Sequence, residues 1–273
     1  MPQFRSGLLF ASMSMLLALC VSSLAGERGE EIMAKVNQRF RGSDSRMIME
    51  MTLWDTARQK TFHKSIVMER KKFGPAYRSA YWVTAPEHEK KIALLLSEDR
   101  SPTGMWMYFP GTQSVTEIAS RGFPALASDF SCEDLFEQVP LANFQFRLLG
   151  QERQGSLLLA RVEMVPATER LKSELGFTKS IGLVRQDIGM IVHAEYFDEK
   201  GVIFKKFTAD EIRQVQGIWT AHRLMMENLR AQHSTEVRVL DEDHSRISDT
   251  DFSPETLGAS FDRVTIASRK TGR

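Results

Sequence analysis

The stretch Ile181–Asp243 leaves this chain little choice of fold. Within it, Met190–Phe197 sets Met190, Val192, Ala194 and Tyr196 on one side and Ile191, His193, Glu195 and Phe197 on the other. That period of two belongs to a β-strand. Asp198-Glu199-Lys200-Gly201 reverses the chain into Val202–Thr208, Gln216-Gly217 turns it into Ile218–Leu229, and Ser234–Asp241 follows. Long strands joined by short turns make an antiparallel meander. The apolar face of such a sheet must be covered or wrapped around something.

The upstream chain continues the pattern. Glu27–Phe40 reads as an amphipathic helix, with Ile32, Met33, Val36 and Phe40 on one face and Glu30, Glu31, Lys35 and Arg39 on the other. Arg46–Trp54 alternates Met47, Met49, Met51 and Leu53 against Ile48, Glu50, Thr52 and Trp54, a methionine-rich strand. Further strands are expected at Thr61–Phe73, Tyr77–Thr84, Lys91–Ser97, Met105–Pro110, Ser114–Ala119, Phe144–Gln151 and Ser156–Val165. The unbroken run Ile92–Leu96 implies burial on both faces. Ser120–Asp129 lacks a strand pattern, and Ser131-Cys132-Glu133-Asp134 has the signature of a helix start, with Leu135, Phe136 and Val139 on its apolar side. Lys172–Lys179 reads as a polar connection. The expectation is a mainly β chain of about eleven strands and two helices, folded as one domain over residues 26–257, with a loosely held tail over 258–273.

The first 25 residues read as a cleavable signal peptide. Arg5 begins it, Leu8–Val21 supplies the apolar run, and Ser23-Leu24-Ala25 supplies small residues for cleavage. An uncleaved anchor or lipidation at Cys20 are the alternatives. Removing this segment leaves Cys132 as the single cysteine, so no internal disulfide can hold the exported fold. Cys132 itself is either a buried small apolar residue or a reactive thiol. The remaining 35 basic and 35 acidic residues balance, which excludes the basic stripe of a nucleic-acid binder. The expected location is the periplasm, and the expected state a monomer.

Signs of catalysis or metal chemistry are weak. There is no P-loop, GxGxxG or GxSxG motif, and no two of the six histidines have helical metal-pair spacing. His193 and Glu195 share a strand face, but a solvated polar face explains them. Ser128, Asp129 and Cys132 lack a base at a defined position, so no nucleophile is assigned. No cofactor, metal or enzymatic activity is expected.

The large soft side chains carry more information. Met49, Met51, Trp54, Trp82, Trp106, Tyr108, Phe130, Phe204, Trp219 and Met225 exceed what one sheet face under two short helices needs. They either fill a solid core or line a hollow on a curved sheet. Methionine adapts its shape to varied apolar ligands, which favours the hollow. Phe123, Ser128, Asp129, Leu135 and Phe136, within the irregular stretch Ser120–Val139, are the candidates for a lid over it.

Met105-Trp106-Met107-Tyr108-Phe109-Pro110 and Ala127-Ser128-Asp129-Phe130-Ser131-Cys132-Glu133-Asp134-Leu135 resemble the outer-membrane lipoprotein-sorting family, the LolA-like proteins. Ala194-Glu195-Tyr196-Phe197-Asp198-Glu199-Lys200-Gly201, Gly217-Ile218-Trp219, Met226-Glu227-Asn228 and Arg39-Phe40-Arg41-Gly42 are similar to the same family, over roughly Glu27 to Leu257. Family members usually carry glycine where this chain has Ala127 and tyrosine where it has Cys132. The resemblance implies an antiparallel half-barrel whose concave side is closed by short helices and shelters lipid or the acyl chains of lipoproteins. It also implies transfer toward the outer membrane, with an inner-membrane exporter and an outer-membrane acceptor as candidate partners. An accessory exporter subunit without lipid cargo and an envelope lipid hydrolase are the competing functions.

Overall fold

The computed structural model describes residues 28–98 and 104–265. The expected signal peptide lies outside the described residues. Residues 28–38 form helix α1, and thirteen strands follow. They are β1 (Asp44–Asp55), β2 (Lys60–Phe73), β3 (Ala76–Ala85), β4 (Ala93–Ser97), β5 (Gly104–Phe109), β6 (Ser114–Glu117), β7 (Phe144–Gln154), β8 (Leu157–Pro166), β9 (Lys179–Arg185), β10 (Met190–Phe197), β11 (Ile203–Val215), β12 (Ile218–Asn228) and β13 (His233–Asp243).

All thirteen belong to one sheet, ordered β6-β5-β4-β3-β2-β1-β13-β12-β11-β10-β9-β8-β7. Each neighbouring pair is antiparallel. Two meanders therefore meet at β1 and β13, and the sheet curves without closing. The strand count exceeds the expected eleven.

The two free edges, β6 and β7, are consecutive in the chain. Residues 118–143 must therefore travel from one edge of the sheet to the other. This crossover contains three short 3₁₀ turns, Ala125–Ala127, Glu133–Leu135 and Leu141–Asn143. The helix expected to start at Ser131 is only one such turn, because its polar groups are used elsewhere. Asp134 accepts from Ser131 N and Oγ and also from Tyr196 and Lys205 of the sheet.

Cross-strand register keeps one face consistent along the sheet. Met49 lies opposite Val239 and Ile66, Ile66 opposite Val83, and Ala194 opposite Phe207 and Gly182. On this concave face, Met47, Met49, Met51, Ile66, Met68, Leu94, Leu96 and Met226 pack with Ala125, Leu126, Phe130 and Cys132 of the crossover. α1 covers the other half, inserting Ile32, Met33 and Val36 against Phe144, Phe146, Val162 and Val184.

The convex face of β2–β5 is covered too. Trp82, Leu95 and Trp106 pack against Ile247, Phe252, Leu257, Phe261 and Val264. The expected loose tail is thus corrected over residues 258–265: Phe261 is 3% exposed and Val264 fully buried. Trp82 fastens this segment by donating its indole N–H to Leu257 O at 2.9 Å. Burial on both sides explains the continuous Ile92–Leu96 run.

A second helix, α2 (Glu169–Leu175), lies where a polar connection was expected. Thr168 caps it by accepting from Leu171 N, and Gly176 ends it in the left-handed conformation at φ 74°. Its single buried side chain, Leu171, left no amphipathic period to read.

Candidate functional site

Between the concave face, α1 and the crossover lies an apolar cavity of about 360 Å³. Its sheet wall includes Met47, Met49, Met51, Ile66, Met68, Phe207, Ala209, Leu224, Val237 and Val239. Its roof includes Leu126, Phe130, Leu135, Phe136 and Val139 from the crossover, with Val36 from α1. This is the low end of the roughly 300–1,000 Å³ found for small-molecule sites.

The sequence candidates divide between the cavity and the convex face. Met49, Met51, Phe130 and Trp219 line the cavity. Trp82, Trp106 and Tyr108 instead belong to the convex face under the C-terminal segment, where Trp106 also folds over Gly104. Trp54 and Met225 alternate to the convex side of β1 and β12 as well. Phe204 packs beside the α1 cluster, with Arg230 stacked 4.8 Å over its ring. Trp82, Trp106 and Tyr108 seat the C-terminal segment, while adaptable methionines line the hollow.

Of the lid candidates, Ser128, Leu135 and Phe136 line the cavity, whereas Phe123 is 39% exposed and faces outward. Asp129 is an anchor: its N–H donates to Thr235 Oγ1 at 3.1 Å and its carboxylate accepts from that hydroxyl at 2.7 Å. Ser128 accepts from Phe130 N and donates to Ala125 O, which shapes the turn. Cys132 is fully buried, and burial, with Asp134 and Glu133 nearby, pushes its thiol up to about 12. It is an inert packing residue. His193 and Glu195 sit 4.0 Å apart, and among the described residues no group of His, Cys, Asp and Glu could hold a metal ion.

Two polar clusters pin the crossover. At Asp134, Tyr196 Oη donates at 3.0 Å and Lys205 Nζ at 2.8 Å. Burial pushes the Asp134 carboxyl up, but Lys205 and the Ser131 hydrogen bonds outweigh it and hold the group below its usual range. Burial and the adjoining Asp134 push the Tyr196 phenol well above its ordinary value.

The second cluster was missed by sequence reading. Arg70 Nη1 lies 2.8 Å from Glu137 Oε1, and Arg41 Nε lies 3.3 Å from Glu137 Oε2. Arg41 also donates to the carbonyls of Val36, Asn37 and Arg39, closing the end of α1. Asn37 exchanges two hydrogen bonds with the Val139 backbone, at 2.7 and 2.8 Å. Burial pushes Glu137 up, yet Arg70 and Arg41 keep it below its usual range. Glu98 accepts from Glu137 N at 2.5 Å, and burial plus the Glu137 charge push it up to about 7. The available signal was the pair Arg39 and Arg41 flanking a helix end before Gly42, which amphipathic periodicity assigns to solvent.

A curved open sheet with a crossover roofing an apolar hollow defines a LolA-like fold. Solved structures agree. A domain from Vibrio parahaemolyticus named for outer membrane lipoprotein sorting superposes with a TM-score of 0.77 at 23% identity, covering 85% of this chain and 99% of its own. A DUF1329 family protein from Desulfovibrio piger gives 0.74 at 22% identity, covering 85% and 99%. A LolA superfamily protein from Nitrosomonas europaea gives 0.64 at 15%, covering 82% and 97%. At these identities the likeness is one of fold. No curated protein matches the sequence. A family model described as "Uncharacterized protein" matches residues 77–259, and the chain belongs to that family.

Proposed function

We propose that this protein is a non-enzymatic periplasmic carrier that shelters acyl chains, of lipids or of lipoproteins, on their way to the outer membrane. The observation that carries this reading is the hollow itself: a largely apolar space of about 360 Å³ roofed by the crossover and α1. Hydrocarbon crossing water costs about 0.8 kcal/mol per exposed CH₂, so a carrier must offer an apolar groove. Methionine floors suit cargo of variable shape. Among the described residues no helix is long and apolar enough to cross a membrane. Residues 1–25 would direct export.

The test is mass spectrometry of lipids extracted from the purified mature protein, alongside a Phe130→Asp variant. Phe130 is 2% exposed, belongs to the roof and lines the cavity. Co-purified acyl lipid that disappears in a folded Phe130→Asp variant is the expected result. A wild-type protein that neither retains lipid nor binds added acyl ligands would exclude the carrier and favour an accessory exporter subunit.

A further inference from the structure

The cavity is mostly apolar; the roof carboxylates Glu133 and Asp134 are paired with Arg121 and Lys205, but where α1 meets the sheet the arginines outnumber the carboxylates lining the cavity. Arg39, Arg41 and Arg70 all line it, with Glu137 beside them. Glu137 serves both Arg41 and Arg70. The next carboxyl, Glu98, titrates near 7 and so carries only part of a charge at neutral pH. Arg39 has no carboxylate within ion-pair distance among the described residues. Nη1 donates to Trp219 O at 2.7 Å, but its Nε–H is buried with no hydrogen-bond partner. Burial, reinforced by the Arg41 charge, lowers Arg39 to about 10, which still leaves it cationic at neutral pH. A half-buried guanidinium that feels only the Glu137 charge, already paired with Arg41 and Arg70, is poorly compensated. It is retained readily where an anion completes it, because its planar fork suits carboxylate and phosphate.

Building on the carrier reading, we propose that Arg39 anchors an anionic headgroup, so that the preferred cargo is an amphiphile with a carboxylate or phosphate at Arg39 and its chain over the methionine floor. Arg41 and Arg70 are each ion-paired with Glu137, whereas Arg39, which shares with them a buried Nε–H lacking a hydrogen-bond partner, has no ion pair among the described residues. Arg39 here selects among acyl ligands; the apolar wall binds the chain in any case.

Calorimetric titration of the full mature chain, below micelle concentrations, tests this with three ligands sharing one lauroyl chain: dodecanoate, lauroyl lysophosphatidylglycerol and neutral monolaurin. We expect at least one anionic ligand to bind about ten-fold or more tighter than monolaurin, a difference of about 1.4 kcal/mol. Preference for dodecanoate alone identifies a fatty-acid carboxylate, and preference for the lysolipid a phospholipid phosphate. Arg39→Gln should abolish the preference while leaving monolaurin affinity within two-fold, and Arg39→Lys, which keeps the charge, should restore part of it. Equal binding of all three ligands by the wild type, or an equal loss for all three in Arg39→Gln, overturns the headgroup site and leaves the carrier intact. Failure of all three, monolaurin included, overturns the carrier reading and the site with it.

Discussion

Chain-length dependence gives the sharpest test of the hollow, because its size sets a number. A cavity of about 360 Å³, at roughly 30 Å³ per water-sized heavy atom, holds about twelve carbons. Affinity for a series of monoacylglycerols should therefore rise about 0.8 kcal/mol, or about four-fold, per added CH₂ and then flatten near that length. Ala209 is 5% exposed, lies on β11 opposite Leu224, and its side chain faces the cavity. Ala209→Leu adds three carbons to the wall. The plateau should move about three carbons shorter, and ligands that fill the wild-type cavity should lose about 2.4 kcal/mol, or roughly sixty-fold. Ligands short enough to leave that space empty should bind as before. The assay is displacement of a fluorescent acyl probe across the series, with thermal unfolding as the control for fold. A plateau unmoved in Ala209→Leu, or uniform weakening at every length, would refute the idea that chains occupy this space.

Four further outcomes follow from the same contacts. Glu137→Gln strips the counter-charge from Arg41 and Arg70, and denaturant unfolding should show a loss of about 3–5 kcal/mol. The raised Glu98 carboxyl binds its proton more tightly folded than unfolded, so its contribution to stability falls as pH rises from its ordinary value through about 7; melting temperature should drop from pH 5.5 to pH 8, less steeply in Glu98→Gln. Phe261→Ala, in the segment sealing the convex face, should cost about 3–5 kcal/mol by chemical denaturation, whereas a loose tail would show no change. Ala127 sits at φ 56°, where a side chain costs about 1–2 kcal/mol, so Ala127→Gly should stabilise the fold by up to about 1 kcal/mol after glycine's entropic penalty.

The fold was legible because a period of two survives in nearly every strand and the turns carry glycine or polar residues. Lys91–Ser97 even announced its double burial, through five consecutive apolar positions. The cavity wall was legible only in part. Parity in Arg46–Trp54 already set Met49 and Met51 apart from Trp54, but which side is concave depends on where the crossover runs. That is a long-range choice with no local signature. The convex cover escaped notice because Ile247, Phe252, Leu257, Phe261 and Val264 are spaced irregularly and acquire meaning only against Trp82 and Trp106. Arg39 escaped for the opposite reason: a charged residue opposite an apolar helical stripe reads as solvated, and only the sheet beside α1 half-buries it. The glycine expected at position 127 from family resemblance fits the left-handed backbone there, which alanine adopts under strain.

That strain bears on how a carrier of this build could let go. The crossover is held by the apolar packing of Leu126, Phe130 and Cys132 and by polar pins: Lys64 to Leu126 O at 2.7 Å, Asp129 to Thr235, Asp134 to Tyr196 and Lys205, and Glu137 to Arg70 of the sheet and to Arg41 beyond α1. Each hydrogen bond to a charged group exchanged for one to water changes stability by about 1.5–3 kcal/mol, less than its strength in isolation, since water supplies replacement partners. Leu126 and Ala127, consecutive left-handed residues at φ 51° and 56°, would relax as the turn lifts, returning part of that cost. Opening would then expose the roof's apolar side chains unless an acceptor covers them. On the carrier reading, cargo would leave this hollow most readily where another apolar surface is already in contact, which would tie release to arrival.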